Sequence, residues 1–148
     1  MKVSTKGRYG LRALVDLAVH SSEGQVSLAE IARRQKISLN YLEQVFAVMR
    51  RAGFVKSIKG FQGGYMLAME PENITVDMVV TALEGEFRIV DDSIFQEDKL
   101  DTLRLAVMEL VWEPINTKVL EYIRSTTIKK ICQDYLNRQT DTLDMFYI

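Results

Sequence analysis

The chain has 148 residues, 47% hydrophobic and 26% charged, with 19 Lys/Arg against 20 Asp/Glu. That is the composition of an ordinary globular protein, long enough for one compact unit with its own core. No apolar run approaches the roughly 20 residues that span a bilayer, residues 1–6 lack the apolar core of a signal peptide, and a single cysteine excludes an internal disulfide framework and a multi-cysteine metal site, so the cytoplasm is the expected location.

The near-neutral total conceals an asymmetry. Residues 1–70 hold 11 Lys/Arg and 5 acids, whereas residues 71–148 hold 8 Lys/Arg and 15 acids. A basic half joined to an acidic half implies a polyanionic partner for the first; the plainer alternative is that the charges merely solvate two surfaces.

In chain order, Leu11, Leu14, Val15 and Ala18 recur at i, i+3, i+4 and i+7 and predict an amphipathic helix over residues 8–20, ended by Ser21-Ser22-Glu23-Gly24. Ser27-Leu28-Ala29-Glu30 reads as a capping box opening a short second helix to about Arg34, with Leu28, Ile31 and Ala32 turned inward. After the tight connection Gln35-Lys36-Ile37, Ser38 is a good N-cap for a third helix. Its inner stripe is Leu42, Val45, Phe46 and Met49, and Gly53 is its left-handed stop. Two short helices this close, the second firmly capped, form the helix-turn-helix pattern. Residues 54–58 and 65–68 predict two strands around Lys59-Gly60-Phe61-Gln62-Gly63-Gly64, a loop holding three of the chain's 8 glycines. A hairpin attached directly to a helix-turn-helix is a wing.

Pro71 closes this unit, and Thr75 caps a predicted helix from Val76 to Glu84, stopped by Gly85. Residues 86–98 are acid-rich and without period, and read as a partly mobile loop. Leu100, Leu103, Val107, Leu110 and Val111 then open a long apolar-faced helix towards Arg124, in which Pro114 predicts a kink. A last helix is predicted over residues 127–137, followed by a polar tail and the hydrophobic end Met145-Phe146-Tyr147-Ile148. The fold class is mainly α with a small β-hairpin wing: a winged helix-turn-helix over residues 1–85, then a linker, a long dimerisation helix and a C-terminal helix with tail over residues 86–148.

Several segments together carry a family likeness. Lys2 to Gly10 (Lys-Val-Ser-Thr-Lys-Gly-Arg-Tyr-Gly), Ser38 with Tyr41-Leu42-Glu43-Gln44, Gly60 with Gly63-Gly64-Tyr65, Ile74-Thr75 and Leu83-Glu84-Gly85 resemble the Rrf-type family of bacterial winged-helix regulators along nearly the whole chain. The resemblance implies a DNA-binding transcriptional regulator acting as a homodimer. Within the family the nearer likeness is the branch that represses genes of cysteine metabolism. The family's best-known branch binds an iron–sulfur cluster through three cysteines just after Leu-Glu-Gly. Residues 86–104 contain no cysteine here, and thiolates are the main ligands of such clusters, so no cluster is expected.

On the third helix, Asn40, Tyr41, Glu43, Gln44, Ala47 and Arg51 turn away from the apolar stripe. Asn and Gln can pair with adenine and Glu can accept from cytosine. Glu43 therefore reads either as a selector against wrong bases or as a solvated acid beside Arg50. In the wing, Lys59 and Gln62 suit phosphate or groove contact, and Gly60, Gly63 and Gly64 beside Tyr65 would let backbone amides approach phosphates; the alternative is a tight hairpin that needs glycine for its turn. Lys6 and Arg8 are candidate phosphate clamps at the start of the first helix, whose own N-terminal amides add to them. The stripe Leu103, Val107, Leu110, Val111, Trp112, Ile115 and Val119 reads as a dimerisation face or as monomer core. It would place two recognition helices about 34–36 Å apart on an approximately palindromic site.

His20 reads as a helix-end residue and Cys132 as a packed structural cysteine, with a redox-sensing role as its alternative. No base stands beside the one thiol, and neither a phosphate loop nor a His/carboxylate metal spacing is present, so an enzyme is not expected. A winged helix that binds protein instead of DNA stays open as a second class. The likeness to the cysteine-metabolism branch also implies cysteine synthase CysK as a partner. Asp144 to Ile148, and Met145, Phe146, Tyr147 and Ile148 within it, would enter that enzyme's active site, or else pack on their own dimer.

Overall fold

The computed structural model describes residues 3–90 and 101–147. Helix α1 (Thr5–His20) is followed by a short 3-10 turn, helix α2 (Leu28–Gln35) and helix α3 (Leu39–Arg51). Strands β1 (Val55–Ile58) and β2 (Gly64–Leu67) form an antiparallel hairpin in which Val55 pairs with Leu67 and Ile58 with Gly64. Val26 adds a bridge to Tyr65, with N–H···O distances of 2.9 and 2.8 Å, so the segment before α2 lies along the outer side of the wing. Helix α4 (Val76–Glu84) completes the first half.

The elements form where their end residues dictate. Ser27, Ser38 and Thr75 each accept a hydrogen bond from the amide three residues on, fixing the starts of α2, α3 and α4. Gly85 ends α4 at φ +93°, a conformation that favours glycine. The turn between α2 and α3 is made by Lys36 at φ 56°, the one described non-glycine residue in the left-handed region. Helix α1 begins at Thr5, three residues before the predicted start, because the hydroxyl of Ser4 caps it.

The core gathers Leu14 and Leu17 of α1, Ile31 of α2, Leu42, Val45, Phe46 and Met49 of α3, and Val79 and Leu83 of α4. All four residues of the predicted α3 stripe are buried. Ile128, fully buried, joins the same cluster from the C-terminal half, because the backbone of residues 74–76 pairs with residues 126–128 (Ile128 N to Ile74 O, 2.8 Å; Val76 N to Thr126 O, 2.9 Å).

Among the described residues two polar side chains lie inside, Asp16 and Asn116, and Asn116 Oδ1 accepts from Ile89 N at 2.9 Å. The carboxylate of Asp16 on α1 is 1% exposed and is held from α2, by Arg34 at 2.8 and 3.1 Å and by Gln35 Nε2 at 2.7 Å. This side-chain hydrogen bond raises the Arg34 pKa further still. Arg12 donates to the carbonyl of Gln35 at 2.8 Å, capping the negative end of α2, and stacks over Tyr9 at 5.0 Å. The helix-turn-helix is therefore fastened to α1 by charge as well as by packing. His20 closes α1 as expected, its Nδ1 2.8 Å from the Asp16 carbonyl oxygen.

Beyond α4, residues 86–90 have no regular structure, and the rest of the predicted loop, with Leu100, lies outside the described residues. Asp101 caps helix α5 (Thr102–Val107), which passes into one π-helical turn (Met108–Trp112) and then helix α6 (Glu113–Ser125). The expected disturbance at Pro114 takes the form of this widened turn, in which Glu113 N bonds to Met108 O: proline brings no N–H, and its ring excludes the carbonyl four residues back.

The prediction for the last helix needs correction. Helix α7 spans Ile128–Phe146, nine residues past Asn137, so Met145 and Phe146 belong to its last turn and are not a free tail; Ile148 lies outside the described residues. No glycine or proline interrupts this stretch, and Arg138 bonds Asp134 one turn back at 2.6 Å. No described helix is long and apolar enough to cross a membrane.

Candidate nucleic-acid interface

Helix α3 presents Asn40, Glu43, Gln44 and Arg51 to solvent while its apolar stripe is buried. Lys6 of α1 lies beside this face, and together with Tyr41, Gln44, Ala47 and Arg51 it lines a shallow hollow of about 400 Å³. Two cations, an amide and the exposed side of the second helix of a helix-turn-helix therefore share one surface. That combination suits phosphate contact at the edge and base reading at the centre.

The other candidates separate. Arg8 stands two residues from Lys6, about 200° further round the helix. It lines a different groove, between α1 and α7, and its hydroxyl partner is Thr5 at 3.4 Å. Of the N-terminal amides of α1, that of Gly7 is already taken. Glu84 accepts from Gly7 N at 3.0 Å and from the Ser4 hydroxyl, placing the protein's own carboxylate at the positive end of α1. Gly7 is buried, and a Cβ there would collide with Glu84.

Tyr41 is half-buried, its ring edge-on to Tyr9 at 6.0 Å, so it ties α3 to α1 as well as bordering the interface. Ser38 spends its hydroxyl oxygen on the Tyr41 amide, 3.3 Å away, which leaves the hydroxyl hydrogen to donate outward.

In the wing, Lys59, Gly60 and Gln62 are exposed at the tip, and Gln25 braces it by donating to the Gln62 carbonyl at 2.7 Å. Tyr65 turns inward, its ring 5.0 Å from that of Phe46, and is part of the packing rather than of the tip. The hairpin itself explains the glycines. Gly60 adopts φ +126°, a Cβ on Gly63 would lie 2.7 Å from the Ile58 carbonyl oxygen, and one on Gly64 would lie 2.5 Å from that of Val26. Sequence reasoning passed over Phe61, which stands fully exposed at the tip; the signal available was a lone aromatic in an otherwise polar, glycine-rich loop.

The dimerisation candidates divide likewise. Leu103, Val107, Leu110, Val111 and Ile115 are exposed large apolar side chains, whereas Trp112 and Val119 are half-buried. Cys132 is half-buried on α7 with Sγ 4.0 Å from the Val15 carbonyl oxygen, and burial pushes its thiol pKa up.

Residues 3–134 match the family Rrf2, described as "Iron-dependent Transcriptional regulator". The chain belongs to the Rrf2 family. Its Rrf2 relatives include the HTH-type transcriptional regulator CymR of Bacillus subtilis, 40% identical over 127 residues, which cover 86% of this chain and 92% of CymR. They also include IscR of Cereibacter sphaeroides, 38% identical over 137 residues, 90% of this chain and 88% of IscR. Among solved structures, that of B. subtilis CymR, there called the global cysteine regulator, superposes with a TM-score of 0.78 at 40% identity. The match covers 90% of this chain and 97% of CymR. T. potens IscR gives a TM-score of 0.72 at 42% identity, over 91% and 88% of the two chains. The expected fold class, a winged helix-turn-helix with a hairpin wing, is the one found. These relatives are DNA-binding transcriptional regulators, not enzymes.

The iron in the family description finds no fitting donor set among the described residues. Its one cysteine sits on α7 and not in residues 86–104, and the described residues contain no cluster of three His, Cys, Asp or Glu able to hold a metal ion.

Proposed function

We propose that this Rrf2-family regulator is a cytoplasmic repressor that binds an approximately palindromic operator as a homodimer and works without an iron–sulfur cluster. The observation that carries the reading is α3, whose Asn40, Glu43 and Gln44 are exposed and whose Gln44 and Arg51 line one hollow with Lys6. In this reading residues 1–85 hold DNA and residues 86–148 hold the partner subunit. Gln44 and Asn40 pair with bases in the major groove, Glu43 accepts from cytosine and rejects other bases, and Lys6, Arg51 and the Ser38 hydroxyl fix register on phosphates. Lys59 and Gln62, at the exposed tip of the braced wing, contact the neighbouring backbone.

The exposed apolar row Leu103, Val107, Leu110, Val111 and Ile115, with Trp112 and Val119 beneath it, supports dimerisation, because a patch of this kind is unfavourable in water. The likeness to CymR supports a regulon in cysteine metabolism and cysteine synthase CysK as a partner of Met145 to Ile148. Docking there as an extended peptide requires the last turn of α7 to unwind. Deleting Ile148 and measuring affinity for the synthase tests this, and an unchanged affinity removes it.

The experiment for the main reading is titration with operator duplex, recovered from genomic fragments, at two salt concentrations. Each phosphate contact contributes about −0.9 to the slope of log K against log salt. Lys59→Ala is expected to weaken binding to all duplexes alike and flatten the slope by about 1, whereas Gln44→Ala changes which base is preferred, by about 1–3 kcal/mol at one position. Equal, sequence-independent losses from both variants would refute the division of roles.

A further inference from the structure

Of the large apolar side chains in residues 3–90 only two are exposed: Leu39 at 41%, and Phe61, which at 105% has its whole ring open to water. The backbone that carries Phe61 is nonetheless fixed. Gly63 N bonds to Gly60 O at 3.0 Å, so Phe61 and Gln62 are the two corner residues of a tight turn. Gln25 Nε2 holds the Gln62 carbonyl at 2.7 Å, and Val26 bridges Tyr65 behind it. The tip is also narrow, because Gly60 and Gly63 bring no side chains. Residues 44–69 around it carry Arg50, Arg51, Lys56 and Lys59 and no acid.

We infer that Phe61 seats its ring in the minor groove of bound DNA, against the deoxyribose edges, and so favours DNA over RNA. The inference rests on the proposed interface of α3 and the wing, and deepens it by naming a contact that carries no charge. With α3 in the major groove, Lys59 and Gln62 lie on the flanking phosphates, and a corner residue between them reaches past that rail. The groove beyond is about 6 Å wide, which admits a ring edge-on and a turn without side chains at its shoulders. Its walls are the C–H faces of the sugars, the apolar surface of an otherwise charged polymer. Four cations without an acid around the tip suit that polyanion better than a protein partner. The braced turn presents the ring already ordered, so little is lost in fixing it on binding. RNA differs at this place, because each ribose adds a 2′-hydroxyl to the minor groove. A phenyl ring pressed on that hydroxyl would strip its water and return no hydrogen bond, which selects against ribose.

The test uses the full-length protein and a DNA duplex selected from a random pool by the unaltered chain. Phe61→Ala is expected to weaken binding about tenfold for each wing engaged, the worth of burying most of one aromatic side chain. The ring is uncharged, so the slope of log K against log salt should stay as it is, in contrast to Lys59→Ala. Single ribonucleotides are then placed in turn along each strand. At the seat of the ring one ribose is expected to weaken the unaltered protein about fivefold and Phe61→Ala less than about twofold. Equal affinities of Phe61→Ala and parent overturn the inference, as they would if the tip served a protein partner, and leave the α3 and Lys59 reading standing where those variants still act. A loss in Phe61→Ala with the same ribonucleotide penalties in both proteins also overturns it, since the ring then acts elsewhere than on the sugars. A pool that yields no bound duplex in low salt overturns both readings. Thermal unfolding of Phe61→Ala should match the parent; a lowered midpoint would assign the ring to the fold and overturn the contact.

Discussion

Removing Arg34 should harm this protein more than removing its partner Asp16, although the two form one ion pair. Arg34→Ala leaves a carboxylate that is 1% exposed with Gln35 at 2.7 Å as its main remaining donor. Stripping one member from a buried pair costs about 3–5 kcal/mol, because the orphaned charge cannot reach water. Asp16→Ala removes the buried charge together with its bonds, and Arg34, with 24% of its side chain already exposed, can turn to solvent. That variant should lose about 2 kcal/mol, the net worth of its hydrogen bonds less the desolvation that is no longer incurred. The double variant should resemble Asp16→Ala and be more stable than Arg34→Ala alone. For a chain of this length each kcal/mol shifts the midpoint by about 2–4 °C, so Arg34→Ala should melt on the order of 10 °C below the parent. The assay is thermal unfolding followed by circular dichroism at one fixed protomer concentration, since a dimer's midpoint depends on it. If Arg34→Ala lost less than about 1 kcal/mol, or the two losses simply added, the account of Asp16 as a buried charge neutralised across α1 and α2 would be wrong.

Glu84→Ala should destabilise by about 1–3 kcal/mol by freeing the Gly7 amide and the Ser4 hydroxyl at the start of α1, read by hydrogen exchange at Gly7. Gly64→Ala should displace the wing from Val26, whose carbonyl oxygen would lie 2.5 Å from the new Cβ, and weaken DNA binding without altering sequence preference in a duplex titration. Cys132, whose folded-state pKa is raised by burial, favours the fold while protonated. That contribution is complete below the ordinary thiol range and is lost as pH rises through the higher folded value. Its reaction with Ellman's reagent near neutral pH should therefore be slow and accelerate on denaturation; rapid reaction in the native state would restore a redox-sensing reading.

Much of this architecture was legible where the signal is local. Thr75 and Gly85 marked both ends of α4, and Ser38 with the stripe Leu42, Val45, Phe46 and Met49 marked α3. What escaped depends on surroundings. The predicted last helix ends at Asn137 before a polar tail, yet the absence of a helix breaker beyond that point lets α7 run on to Phe146. Lys6 and Arg8 were grouped as sequence neighbours, but helix geometry sends them to different faces. Tyr65 opens the second predicted strand beside the wing's glycines and was a contact candidate, but its ring fills space against Phe46, 19 residues distant. Asp16 counted as one of the few acids in a basic half; its position between Val15 and Leu17 was the available clue, and its partners lie 18 and 19 residues on.

The π turn ahead of Pro114 gives this stretch one place where a change in length is absorbed. Such a turn takes up one extra residue, so the apolar side chains on either side keep the phase of an unbroken helix one residue shorter. Deleting one position between Glu109 and Trp112 would restore an unbroken α-helical path that keeps Leu103 and Val107 in line with Ile115, while setting the Pro114 ring against a helical carbonyl. Divergence along this backbone is therefore expected to tolerate a single-residue gap at this turn, with other gaps confined to the connections between helices.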